Sequence, residues 1–186
     1  QKSLLAALRG IQDHGVVPVA IFPGPGVCVD AFGDAHIAVR VLPAPPALLS
    51  FGQALLGVGT AARLGILARA VVPYSWAFSR LLAEEKIDVA HFNTARGILV
   101  AGLGAKMARC PSALHVRGMV AVDRVYWSAA QVLANRIILV ARALLEQVSR
   151  PFRSRCRVVY NGVPEAASHD RERARHLLAD RFQLAP

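Results

Sequence analysis

The chain is short of lysine, cysteine and aromatic residues, and each shortage removes a class of function. Only Lys2, Lys86 and Lys106 are lysines; the other 19 basic residues are arginine. Aromatic residues make up 6%, and none interleave regularly with the arginines, so stacking platforms for single-stranded nucleic acid are thin. Cys28, Cys110 and Cys156 lie far apart, with no CxxC or Cys/His ligand spacing, which argues against a zinc site. An odd cysteine count without a framework suits a reducing compartment. The longest uncharged run, Val41 to Ala62, holds Pro43, Pro45, Pro46, Gly52, Gly57 and Gly59 and is closed by Arg63. That is a poor membrane-spanning helix, though an apolar helix lying on a surface is compatible with it. GxGxxG, the P-loop and the GxSxG elbow are all missing, and no paired carboxylates stand out at strand ends. A dinucleotide-dependent enzyme is therefore not supported. No secretory signal is visible, but Gln1-Lys2-Ser3 is not a natural start, so an upstream segment is expected.

What is present is an apolar chain. Of 186 residues, 54% are apolar and 18% charged, and mean hydropathy is +0.39. Such a chain can bury a core, which excludes a disordered tail. Its length suits one domain or one half of a two-domain enzyme. Net charge is +10, unevenly placed: residues 1–99 carry +2, residues 100–160 carry +8, and the rest sum to zero. The second half would attract phosphates, nucleic acid or an anionic bilayer.

The pattern alternates between helix and strand. Leu4, Leu5, Ala7, Leu8 and Ile11 have helical spacing, ended by Gly15. Val16 to Phe22 reads as a buried strand broken by Pro23-Gly-Pro-Gly26, and Ala38 to Leu42 as another. Residues 47–85 read as helical with a break near Pro73. Strands are expected at Asp88 to Asn93, Ser112 to Val116, Arg136 to Val140 and Arg157 to Tyr160. Helices are expected at Arg96 to Cys110, Asp123 to Ala134 and Ala143 to Phe152, with a charged helix at Ser168 to Phe182. Continuously apolar strands separated by helices imply a doubly wound parallel α/β sheet with helices on both faces.

Ligands of such sheets bind beyond the carboxyl ends of the strands. There the sequence places Pro23-Gly24, His91-Phe-Asn93, His115-Val-Arg117-Gly118, Ala141-Arg142 and Asn161-Gly162. His91 and Asn93 are two apart and share a strand face, as do His115 and Arg117. An imidazole can shuttle a proton, and a guanidinium can hold a phosphate or carboxylate with a forked pair of hydrogen bonds. Gly118 allows close backbone approach or a positive φ. Asn161-Gly162 reads as a turn tolerant of positive φ; Pro164 and a polar tail rule out a hairpin there. Arg142, Arg150, Arg153, Arg155 and Arg157 form a basic run, read mainly as a solvated face.

Leu4 to Gly15, Val17 to Gly24, Asp88-Val-Ala-His91, Ala101 to Pro111, His115 to Gly118, Ile137 to Val140 and Val159-Tyr-Asn161-Gly-Val163 form an ordered set. That set resembles the N-terminal half of family 4 glycosyltransferases, which have the two-domain GT-B fold, and it spans almost the whole chain. The resemblance implies a Rossmann-like N-terminal domain over 1–164 with its first strand missing. A charged connector, 165–186, would lead toward an absent C-terminal domain. It implies His115 at the reaction centre, with His91, Asn93, Arg117 and Gly118 lining the acceptor pocket. Pro23, Gly24, Asn161 and Gly162 would edge the cleft. Ala141-Arg142 replaces the Ser-Glu usual in the family, and alanine cannot supply the side-chain helix cap that serine would.

The implied reaction is sugar transfer from a nucleotide sugar to an acceptor hydroxyl with retention, in cell-surface polysaccharide or glycolipid synthesis. The domain itself would hold no cofactor and no metal. Implied partners are a sugar or lipid-linked acceptor, the chain's own C-terminal domain, and an anionic membrane surface. The implied location is cytoplasmic, at the inner face of the membrane. Two other readings stand beside this one: a basic nucleic-acid-binding α/β module, and a GT-B relative such as a sugar-nucleotide epimerase.

Overall fold

The structure, a computed structural model, describes residues 2–49, 65–119, 124–162, 175–176 and 179–181. Helix α1 (Lys2–Gln12) turns Leu4, Leu5 and Leu8 to one side, and Gly15 takes φ 76° where the chain leaves it. Strand β1 (Val19–Phe22) follows, then α2 (Val27–Gly33) and β2 (Ala38–Val41), with β1 and β2 parallel. Alternation along β1 serves two cores. Ala20 and Phe22 join Phe32, Ala35 and Ile37 beneath α1 and α2, and Ile21 packs the other way, against the main core. The rings of Phe22 and Phe32 meet edge-on with centroids 5.2 Å apart. Helix α2 has no counterpart in the sequence reading. Gly26, at φ 151°, turns the chain into a helix of seven residues, too short to show a helical period.

After the short α3 (Pro46–Leu49), a π-helical turn (Leu67–Val71) runs into α4 (Val72–Glu84). Pro73 lies in the first turn of α4, where no intrahelical N–H is needed. The expected break is thus a change of helical pitch. Residues 50–64 of that stretch, most of the run Val41 to Ala62, and most of the expected tail helix lie outside the described residues; 175–176 and 179–181 are helical.

From there strand and helix alternate: β3 (Ala90–Phe92), α5 (Ala95–Met107), β4 (Ser112–Val116), α6 (Arg124–Leu133), β5 (Arg136–Leu139) and β6 (Cys156–Val158). These strands form one parallel sheet in the order β3-β4-β5-β6. Phe92, Leu114, Ile137, Leu139 and Val116 face α4–α6 and bury the main core with Phe78, Ile98 and Trp127. Small residues let α5 approach its neighbours. A Cβ at Gly104 would collide with the Ser75 carbonyl of α4, and one at Gly102 would meet the Leu133 side chain of α6 at 3.3 Å. The Ser75 hydroxyl is fully buried and donates to the Val100 carbonyl at 3.2 Å.

The fold is the expected α/β architecture, parallel sheets with helices on both faces. Besides α2, it departs from the sequence reading in two places. The sheet comes in two pieces, β1-β2 and β3-β4-β5-β6. Arg40 of β2 and Glu85 at the end of α4 form a forked ion pair between them, and the Tyr74 hydroxyl donates to the Leu42 carbonyl at 3.3 Å. The helix expected at Ala143 to Phe152 is instead two 3₁₀ segments, Arg142–Gln147 and Arg150–Arg155. An α-helix would offer the Gln147 carbonyl to the N–H of residue 151, which is proline and has none. The Trp127 indole N–H takes that carbonyl instead, at 2.6 Å.

Candidate functional site

The carboxyl end of β3 carries His91 and Asn93, and that of β4 carries His115 and Arg117. The register puts His91 opposite Ala113, so His115 lies two positions further along the same face. The two imidazoles meet with ring centroids 5.4 Å apart. His91 is exposed and His115 half-buried. The sequence pairs His91 with Asn93 and His115 with Arg117 along single strands; the contact between the two histidines comes from the strand register.

The electrostatics follow from that contact. Burial, then the neighbouring His91 and Arg117, push the His115 pKa down to about 4. Loss of water on its inner side, then the Arg117 charge, lowers that of His91. His115 is thus neutral near pH 7, with one ring nitrogen a donor and the other an acceptor. Its Nε2 is buried without a hydrogen-bond partner, and so is Asn93 Oδ1. Leaving such an atom buried and unpaired costs about 1–3 kcal/mol, so two of them in one constellation mark a place where a polar ligand would be welcome.

Thr94 begins α5 just beyond Asn93; its hydroxyl accepts from the Gly97 N–H at 3.0 Å and caps the helix. Arg96, one residue into the helix, donates to the Leu49 carbonyl at 3.2 Å. The sequence reading passed over both. A threonine opening a run of small residues is a capping signal that was there to be read.

The remaining candidates are placed as follows. Gly118 has open space where a Cβ would be, so a ligand could approach it, but its φ is not positive. The same holds for Gly162; Asn161 and Gly162 are exposed, and Val163 and Pro164, which would complete the expected turn, lie outside the described residues. These two residues follow β6, two strands from β4, roughly 10 Å away at ordinary strand spacing. Pro23 and Gly24 follow β1, in the other sheet piece. His91, Asn93, His115 and Arg117 are thus brought together at the strand ends, and Pro23 lines one cavity with His91. Ala141 precedes its 3₁₀ segment without a side-chain cap, as its replacement of serine implied. Among the described residues no His/Cys/Asp/Glu group could hold a metal, no cysteine is in a disulfide, and no helix is long and apolar enough to cross a membrane.

The fold is a Rossmann-like α/β domain with polar groups gathered at its strand ends. The sequence profile of Glycosyltransferase Family 4 matches residues 29–166, and the chain belongs to that family. No curated protein matches it. Among solved structures it is similar to a glycosyltransferase from Rickettsia africae, at 11% identity and TM-score 0.66, over 100% of this chain and 46% of that one. It is also similar to HepE of Anabaena in complex with UDP and glucose, at 17% identity and TM-score 0.61, over 87% of this chain and 40% of that one. MurG of Acinetobacter baumannii is similar at 14% identity and TM-score 0.60, over 89% and 42%. At these identities the likeness is one of fold, and the chain spans less than half the length of these proteins.

Proposed function

We propose that this chain is the acceptor-side half of a retaining glycosyltransferase that moves a sugar from a nucleotide sugar to an acceptor hydroxyl. The observation that carries the reading is the pair of buried, unpartnered polar atoms, Asn93 Oδ1 and His115 Nε2, beside Arg117 at the strand ends. Sugar hydroxyls both donate and accept, so one acceptor could satisfy the amide oxygen and the neutral imidazole together. His115 sits closest to the reacting centre in this reading. Being neutral, it contributes hydrogen bonding to developing charge and not a fixed cation. Arg117 adds positive charge for an anionic acceptor or leaving phosphate. The complexes of HepE with UDP and glucose lend support to a nucleotide-sugar donor. The donor would be held by a second domain, consistent with this chain spanning 40–46% of the structures it resembles. Polysaccharide or glycolipid synthesis at the inner membrane face fits the basic second half of the chain, which would hold an anionic bilayer.

The test is release of nucleoside diphosphate from a panel of nucleotide sugars by the full-length natural polypeptide, with and without sugar and lipid-linked acceptors. Turnover with one donor, and its loss on His115→Ala without loss of folding, is the expected result. A full-length polypeptide that consumes no donor would sink the transferase reading.

A further inference from the structure

The sheet face that carries the two histidines also carries two arginines on the strands beyond them. Phe92, Leu114, Ile137 and Cys156 form one register row across β3 to β6 and point into the main core. Side chains alternate along a strand, so the rows on either side of it face the other way. One of those rows holds His91, Ala113 and Arg136; the other holds His115, Ile138 and Arg157. Ala113 and Ile138 belong to neither apolar core. Arg136 stands to Arg157 as His91 stands to His115. In each pair the first residue lies on the neighbouring strand and two register positions behind, with Cα atoms about 8 Å apart at ordinary strand geometry. The imidazoles so placed have their centroids 5.4 Å apart, so two longer guanidinium side chains can close on one small group between them.

Arg136 and Arg157 are both exposed, and each donates only to the carbonyl of the residue before it: Arg136 to Asn135 at 3.3 Å, Arg157 to Cys156 at 3.2 Å. Among the described residues neither forms an ion pair, and strands β3 to β6 contain no Asp or Glu. Like charges on neighbouring strands repel, and an anion shared between them removes the repulsion. A guanidinium fork matches the paired oxygens of a phosphate or a carboxylate. The sequence reading counted Arg157 in a solvated basic run and passed over Arg136; strand register is what puts both on the face of the candidate site.

We propose that the acceptor carries an acid group, a phosphate or a carboxylate, held by Arg136 and Arg157 while its hydroxyl meets Asn93 and His115. The inference rests on the transferase reading for the hydroxyl's role as acceptor, and on the register alone for the acid group. Arg136 lies one strand from His115 and Arg157 two, so the acid group would sit roughly 5–10 Å from the reacting hydroxyl, a separation that one sugar unit spans. A neutral acceptor would leave both guanidiniums without a counter-ion.

The test is NMR titration of the full-length natural polypeptide with glucose 1-phosphate, glucuronate and glucose, followed on the His115 ring protons. At least one acidic sugar should bind about tenfold or more tightly than glucose. The double variant Arg136→Gln, Arg157→Gln should abolish that preference while glucose binding and Tm stay as they are, since neither side chain supports the fold beyond its own strand. Preference for glucose 1-phosphate alone would make the acid group a phosphate, and preference for glucuronate alone a carboxylate. Equal behaviour of the three sugars, or a preference that survives the double variant, would overturn the proposal. Inorganic phosphate or acetate binding as tightly as the matching sugar would overturn it too, because the hydroxyls would then play no part. The readout needs no turnover. If the polypeptide consumes no donor yet keeps the preference, the transferase reading fails and the acid-group site stands; turnover with a neutral acceptor, unchanged in the double variant, does the reverse.

Discussion

The imidazoles of His91 and His115 lie with centroids 5.4 Å apart on neighbouring parallel strands, with Arg117 acting on both. Three groups that carry positive charge when protonated thus share one strand-end site, and the two that can shed a proton do so. This sets a pH dependence with a definite sign. The folded His115 pKa, about 4, lies below its unfolded value near 6.5, so the folded state disfavours the proton. Stability from this site is complete above about pH 6.5, falls as pH drops toward 4, and changes no further below that. His91 adds in the same direction. His115→Gln should flatten the decline of Tm between pH 6.5 and 4.5. Parallel curves for the two proteins would show that His115 does not titrate low.

Arg117 can be separated from burial as a cause. Its charge ranks behind desolvation for both histidines, so removing it should recover only part of each shift. Arg117→Met should raise both imidazole pKa values while leaving His115 below 6.5, read by NMR titration of the ring protons. Unchanged values would place Arg117 too far away to act.

The residues of this site could be read from the chain because the carboxyl-end rule selects a few positions, and His91, Asn93, His115 and Arg117 fall on them. Whether strand-end residues meet depends on sheet register and order, which sequence does not carry. Asn161-Gly162 has the same local character as His115 to Gly118, yet β6 lies at the far edge of the sheet. The long strand and helix periods gave β1, β2, α5, β4, α6 and β5 within a few residues. The failures are short or tertiary: α2 has seven residues, and the 3₁₀ segments exist because Pro151 and the Trp127 indole compete for one carbonyl's bonding.

That carbonyl makes the third prediction. With Trp127→Phe the ring volume largely stays, but the Gln147 carbonyl loses its indole donor, and Pro151 cannot replace it. The nearby Gln131, fully buried, holds Ser149 by its Oε1 accepting from the Ser149 N–H at 2.8 Å, so the segment cannot shift freely to find water. A loss of about 1–3 kcal/mol is expected in urea denaturation. A loss below a few tenths would mean that water reaches the carbonyl.

Two glycine-to-alanine changes should have opposite signs. In a helix interior alanine is favoured over glycine by about 1 kcal/mol. At Gly10 of α1 nothing lies within 4 Å of the new Cβ, so Gly10→Ala should keep this gain and raise Tm. At Gly104 of α5 the new Cβ meets the Ser75 backbone carbonyl, which cannot rotate aside, and the Phe78 ring at 3.1 Å. Relief requires α4 and α5 to move apart, which opens the main core and lengthens the 3.2 Å bond from Ser75 to Val100. Overpacking of this kind costs about 1–3 kcal/mol, which offsets the propensity gain and more. Gly104→Ala should therefore lower Tm by several degrees in the same experiment. If both variants are stabilised, α4 and α5 are not in close contact at Gly104, and the packing that shapes this face of the sheet would need to be redrawn.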